Sequence, residues 1–147
     1  MTGAGWTLRP GRAADIDWMT ELRAAVMRPD LERLGVFDET RVRERFRDAF
    51  VPAYTQVVQV GGRDVGLIAV RPAPDGCWVE HFYLEREAQG RGIGDAVLRH
   101  VLVPIEDRVP YRLNVLQGSP ARRLYERYGF TAYSEDAVDV YMVRPGD

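Results

Sequence analysis

Two hydrophobic periods alternate along this chain, and the places where one gives way to the other divide it into elements. Trp6 to Arg9 reads as a short strand closed by Pro10-Gly11. Asp15 stands at a cap position, and Ile16, Met19, Leu22 and Val26 recur at helical spacing, so a helix is predicted to about Met27, stopped by Pro29. A second helix is expected from about Asp38 to Ala49, with Val42, Phe46 and Phe50 four apart and an Arg/Glu face turned to solvent. From Tyr54 the period shortens. Tyr54 to Val60, Asp64 to Arg71 and Cys77 to Leu84 are rich in Val, Ile and aromatics and read as strands. The turns Gly61-Gly62 and Pro72 to Gly76 join them into an antiparallel meander. A helix from about Gly92 lines up Ile93, Val97, Val101 and Ile105, and Pro104 kinks or ends it. Tyr111 to Leu116 is a strand, and Pro120 to Tyr128 a short helix with Ser119 at its N-cap and Gly129 at its end. Phe130 to Ser134 and Ala137 to Val143 are expected to close the sheet. The order describes a mixed α+β domain.

Composition narrows the chemistry. No repeat, linker or low-complexity tract interrupts residues 1–147, so one domain is expected. Twenty basic and 22 acidic residues leave a net charge of −2, without the basic footprint of a nucleic-acid binder. Every basic residue is arginine, which excludes a lysine Schiff base and a Walker-type phosphate loop. Cys77 has no second cysteine to pair with, and Cys77, His81 and His100 are too few for a Cys/His zinc site, so no metal is expected. No uncharged stretch is long enough to span a bilayer, and Met1 to Leu8 lack the basic start and apolar run of a leader. A cytoplasmic protein without a membrane partner is the expectation.

The informative stretch runs from Glu80 to Asp95, where a strand enters a turn with glycines at 90, 92 and 94 and the turn opens a helix. Such glycines let backbone approach a ligand closely. The first amides of the helix lack intrahelical partners and sit at the positive end of its dipole, which suits a pyrophosphate. A dinucleotide fingerprint fits poorly, since Asp95 stands where the third glycine of Gly-x-Gly-x-x-Gly belongs and the preceding strands are antiparallel. One helix and one strand downstream comes Ser119-Pro-Ala-Arg-Arg-Leu-Tyr125-Glu-Arg-Tyr-Gly129-Phe130.

With both motifs in this order, the chain resembles the GNAT superfamily of N-acetyltransferases. Gln89, Gly92 and Gly94 match the family's Gln/Arg-x-x-Gly-x-Gly/Ala, and Leu124 to Phe130 its Leu-Tyr-Glu-(Arg/Lys)-x-Gly-Phe. Leu8-Arg9-Pro10 with Ala14-Asp15 is similar to the family's opening. The resemblance implies a mixed, mostly antiparallel sheet of six to seven strands flanked by about four helices. It implies that Gln89, Gly90, Arg91, Gly92, Ile93, Gly94 and Asp95 bind the acetyl-CoA pyrophosphate. Backbone near Leu84 would hold the pantetheine and thioester, with Asn114 and Ser119 as further cofactor contacts. An amine would then attack the thioester directly, the Leu84 N–H would face the oxyanion, and Tyr125 would be the acid that gives a proton to the departing thiolate.

The base stays open between Glu80 and His81, because neighbours on a strand face opposite ways. With Phe82 and Leu84 in the core, His81 and Tyr83 line the substrate side, unless a bulge reverses the parity. Where some relatives carry a Glu on the fifth strand, this chain has Asn114. The acceptor, a small-molecule or peptide amine, is expected to be chosen around Met27 to Phe50. Asp30, Glu32, Asp38 and Glu39 make that region acidic and favour a cationic amine. A homodimer is left open, as is the alternative of a silent CoA-binding sensor or interaction module.

Overall fold

The computed structural model describes residues 5–102 and 109–146. Its elements are β1 (Trp6–Pro10), α1 (Ile16–Arg33), α2 (Glu39–Ala49), β2 (Thr55–Val60), β3 (Arg63–Ala73), β4 (Gly76–Leu84), α3 (Ile93–Leu102), β5 (Tyr111–Leu116), α4 (Ala121–Arg127), β6 (Thr131–Glu135) and β7 (Asp139–Arg144). The seven strands form one sheet in the order β1-β2-β3-β4-β5-β7-β6. Every pairing is antiparallel except β4 with β5. The expected mixed α+β architecture is therefore the one observed.

Each face of the sheet carries its own core. Val58, Ile68, Val79, Leu84, Leu113, Val115 and Met142 pack with Ile93, Val97 and Leu98 of α3 and with Tyr125 of α4. On the other face Val57, Leu67 and Tyr83 meet Met19 of α1 and Phe46 of α2. The predicted Val42/Phe46 stripe is the buried side of α2, and Asp38 caps that helix by accepting from the Arg41 N–H at 2.8 Å.

Three local expectations are corrected. α1 does not stop before Pro29 but runs through it to Arg33. Proline removes one helical hydrogen bond, yet the ladder resumes with Leu34 N donating to Asp30 O at 3.0 Å, and Arg28–Glu32 and Arg33–Asp30 pairs brace the last turn. Asp15 does not cap α1 with its side chain. Its carboxylate is taken by both terminal nitrogens of Arg9 (3.0 and 2.9 Å), by the Trp18 indole and by the Arg12 N–H. Arg9 also reaches Asp64 at 2.8 Å, tying β1, α1 and β3 together, and it is the main cause holding the Asp15 carboxyl well below the usual carboxylate range. The third correction concerns α4, which begins at Ala121, with Ser119 Oγ accepting from its N–H at 3.2 Å. Ile105 and Pro104 lie outside the described residues.

Two irregularities in β4 position the site. Ala69 pairs with His81 but Val70 with Val79, so Glu80 is an extra residue in a bulge. Val79 before it and Phe82 and Leu84 after it consequently share the α3 face, while His81 and Tyr83 turn toward α1 and α2. The second irregularity is the pairing with β5, which holds only for Cys77 with Tyr111 and Trp78 with Arg112. Beyond these pairs the two parallel strands diverge and leave an opening in the middle of the sheet.

Candidate active site

The opening between β4 and β5 is a cleft of about 310 Å³ lined by Glu80, Phe82 and Tyr83 of β4, Asn114 and Leu116 of β5, Ser119, and Tyr125 of α4. Arg23, Met27 and Asp30 of α1 form its far wall. A second cavity of about 480 Å³ lies toward α2 and the β6–β7 connection, lined by Arg41 and Arg45 on one side and Asp136 to Asp139 on the other. Arg23, Met27, Asn114, Leu116 and Asp139 belong to the walls of both.

At the end of β4, Glu85 N donates to Val65 O at 2.8 Å. Alternation along an antiparallel ladder then turns the Leu84 N–H and C=O away from β3, toward the opening. The Gln89 amide nitrogen donates to that Leu84 carbonyl at 2.9 Å, which leaves the N–H as the donor available to the cleft. Gln89 thereby pins the strand to the turn that follows.

In that turn Gly90 and Gly92 have φ of 72° and 79°, a region side chains rarely adopt, and a Cβ on either would meet open space. The requirement is conformational. Gly94, by contrast, lies in ordinary contact range of Leu84 and has no positive φ. The first helical hydrogen bond runs from Ala96 N to Gly92 O at 3.1 Å, so the amides of Gly92, Ile93, Gly94 and Asp95 have no helical carbonyl to reach. Asp95 pairs with Arg127 at 3.0 Å and accepts from the Tyr128 hydroxyl, joining α3 to α4. Arg91 is exposed.

Tyr125 packs edge-on against Phe130 with ring centroids 5.8 Å apart, and its hydroxyl makes no hydrogen bond among the described residues. Burial, then the neighbouring Tyr83 phenol, pushes the Tyr125 pKa well above that of a free phenol, so the hydroxyl stays protonated. Glu80 lies on the bulge, lines the cleft and is ion-paired with Arg71. His81 is buried against Phe46 and is not part of either cavity wall. Its Nδ1 meets the Tyr83 hydroxyl at 3.0 Å, its Nε2 has no partner, and burial, then the Arg23 charge, lowers its pKa to about 4. Asn114 donates to Asp139 at 3.0 Å.

The cleft thus gathers Glu80, Tyr83, Asn114, Ser119 and Tyr125 on its walls, while Leu84 ends β4 before the glycine turn without lining the cavity, and His81 stands behind Tyr83. Two charged wall residues, Asp139 and Arg23, escaped the sequence reading. Arg23 is four residues after Met19 and three before Val26, so it falls on the apolar stripe of α1. A cation on an apolar stripe was the available signal.

The strand pair thus parts beside a glycine-rich helix start, with Tyr125 on the wall of the gap. Residues 51–132 match the family model described as acetyltransferase (GNAT) domain, and the chain belongs to that family. It is similar in structure to the PaiA N-acetyltransferase of Thermoplasma acidophilum, solved in complex with coenzyme A (TM-score 0.74, 16% identity, covering 95% of this chain and 98% of that one). It is also similar to PH1933 of Pyrococcus horikoshii OT3 (TM-score 0.75, 20% identity, 97% and 99%) and to an HPA2-related acetyltransferase of Corynebacterium glutamicum (TM-score 0.74, 18% identity, 100% and 98%). No curated protein matches in sequence. Among the described residues no cluster of His, Cys, Asp and Glu is arranged to hold a metal, and no helix is long and apolar enough to cross a membrane.

Proposed function

We propose that this protein transfers the acetyl group of acetyl-CoA to the nitrogen of a primary amine, by direct attack while both substrates are bound. The observation that carries this reading is the divergence of β4 and β5 after Trp78, with Glu80 and Tyr125 on the cleft wall and the Leu84 N–H turned from β3 toward the gap by strand alternation. The glycine turn is the natural seat for the coenzyme's pyrophosphate, because its amides lack helical partners. The residues fit that group without a lysine.

The acceptor arrives as an ammonium, which in water holds its proton up to a pH of about 10, and it must lose that proton before it can attack. Glu80 takes the proton through a water. His81 is the less suited base, because it is buried against Phe46 and stands outside the cleft wall that Glu80 lines. The amine nitrogen then forms the N–C bond, the carbonyl oxygen gains negative charge beside the Leu84 N–H, and the C–S bond breaks. Removing a donor of this kind typically costs a factor of about 10² to 10³. Tyr125 donates a hydrogen bond to the departing thiolate. Because burial raises its pKa, Tyr125 keeps its own proton; of the two protons the ammonium gives up in becoming an amide, one leaves through Glu80 and its water and the other, released as the N–C bond forms, rests on the sulfur.

The test is thiol release from acetyl-CoA with a panel of primary amines. Amine-dependent release is expected, and Tyr125→Phe should lower kcat by about 10²-fold while leaving coenzyme affinity nearly unchanged. Tight coenzyme binding with no release for any amine would favour a module that holds CoA without turnover. A Tyr125→Phe variant with full kcat would remove the role given to the phenol.

A further inference from the structure

Arg23 is the one arginine on the wall of the inner cleft, and among the described residues no ion pair accounts for it. Resting on the acetyl-transfer reading above, we propose that the acceptor amine also carries a carboxylate, as a free amino acid does, and that Arg23 binds this carboxylate while the amine faces the thioester.

Arg23 is 9% exposed and reaches the walls of both cavities. Its Nη1 donates to the Tyr83 hydroxyl at 3.2 Å and lies 3.4 Å from His81 Nδ1, two neutral groups. Nε is buried with no partner, and Nη2 makes no hydrogen bond among the described residues. A guanidinium offers five donors in a planar fork, and here most of the fork is unused. An unpaired charge at this depth is costly, and the common remedy is a carboxylate held by two parallel hydrogen bonds.

The protein's own acids do not supply it. Asp30 pairs with Arg33, Glu80 with Arg71, and Asp38 caps α2. Asp136 accepts from the Val138 and Asp139 amides, and Asp139 accepts from Asn114. Glu32 and Glu39 both meet Arg28 at the exposed surface. Arg41 and Arg45 on the outer cavity form no ion pair among the described residues either. Asp38, Asp136 and Asp139 are held by neutral donors, and it is the buried, unpaired guanidinium of Arg23 that asks for an anion. Arg23 shares the inner cleft with Glu80 and Tyr125, so anion and amine must lie close together, as in one small molecule. Polyamines and aminoglycosides lack such a group.

The experiment compares α-amino acids with their decarboxylated amines, their carboxamides and an aminoalkyl phosphate as acceptors. In the native protein kcat/KM should favour the amino acid by about tenfold or more, and Arg23→Met should reduce that ratio to near one, with Arg23→Lys keeping part of it. Coenzyme titration of each variant reports that it is folded. Equal use of the decarboxylated amine, or preference for the phosphate, overturns the inference while the acetyl-transfer reading stands. If no acceptor is turned over, that reading fails instead, and binding decides the inference. Calorimetry of the CoA-loaded protein with N-acetyl amino acids and their carboxamides should still show tighter carboxylate binding that Arg23→Met abolishes. Equal affinity for the two overturns it.

Discussion

At the scale of single residues, burial without compensation marks the chemistry. His81 is pressed against Phe46 and faces the Arg23 cation, the Tyr83 hydroxyl and, one residue away, the Arg71-paired Glu80. Its pKa falls from 6.5 to about 4, so between those values the unfolded chain binds more protons than the folded one. The neutral ring's contribution is fully present above pH 6.5 and is lost as the pH falls toward 4, by up to about 3 kcal/mol. Urea midpoints between pH 4 and 7 should therefore rise with pH, and His81→Gln should flatten that rise. An unchanged slope would show that His81 titrates alike in both states. Asp15 acts in the same direction at lower pH, since Arg9 holds its carboxyl well below the carboxylate range. Arg23 was hard to find in the sequence because an arginine among arginines carries no label; only its position on the α1 stripe distinguishes it.

At the scale of elements, periodicity located nearly every strand and helix, because both cores are built from simple apolar stripes. The misses have local causes. A proline near a helix end removes one hydrogen bond, which pairing around it outweighs in α1. The Glu80 bulge is set by how β3 and β4 pair, and alternation within β4 alone carries no trace of it. The glycine turn was legible because its residue types are themselves the signal. Gly92→Ala should cost about 1–2 kcal/mol in stability, because its φ of 79° strains any side chain even though the new Cβ meets nothing, and as the turn relaxes by rotating its amides coenzyme affinity should fall about fivefold to tenfold. Gly94→Ala needs no positive φ and should leave affinity nearly intact. Isothermal titration with CoA separates the two outcomes, and equal losses would mean that the turn's conformation is not what binds.

At the scale of the whole molecule, the sheet is two antiparallel halves, β1 to β4 and β5 to β6, meeting along the parallel β4–β5 seam. The sequence contains the strands on either side of that seam but says little about where the seam ends, because parallel pairing leaves no turn between its partners to read. A coenzyme in the cleft would take hydrogen bonds from edges of β4 and β5 that the ladder leaves unused. Amide exchange at Phe82 to Leu84 and at Leu113 to Leu116 should therefore slow when CoA is added, more than in β1 or β6. Uniform slowing would point to general stabilisation instead.

The two halves touch at the start of the same seam. Cys77 N reaches Pro110 O at 2.9 Å where the halves touch, and Gly76 beside it leaves no room for a Cβ, which would fall 2.4 Å from that oxygen. Leu84 lies eight residues farther along β4, about 26 Å away. A methyl group at position 76 would act as a wedge under a pair of tongs, changing the grip at the far tips without touching anything held between them.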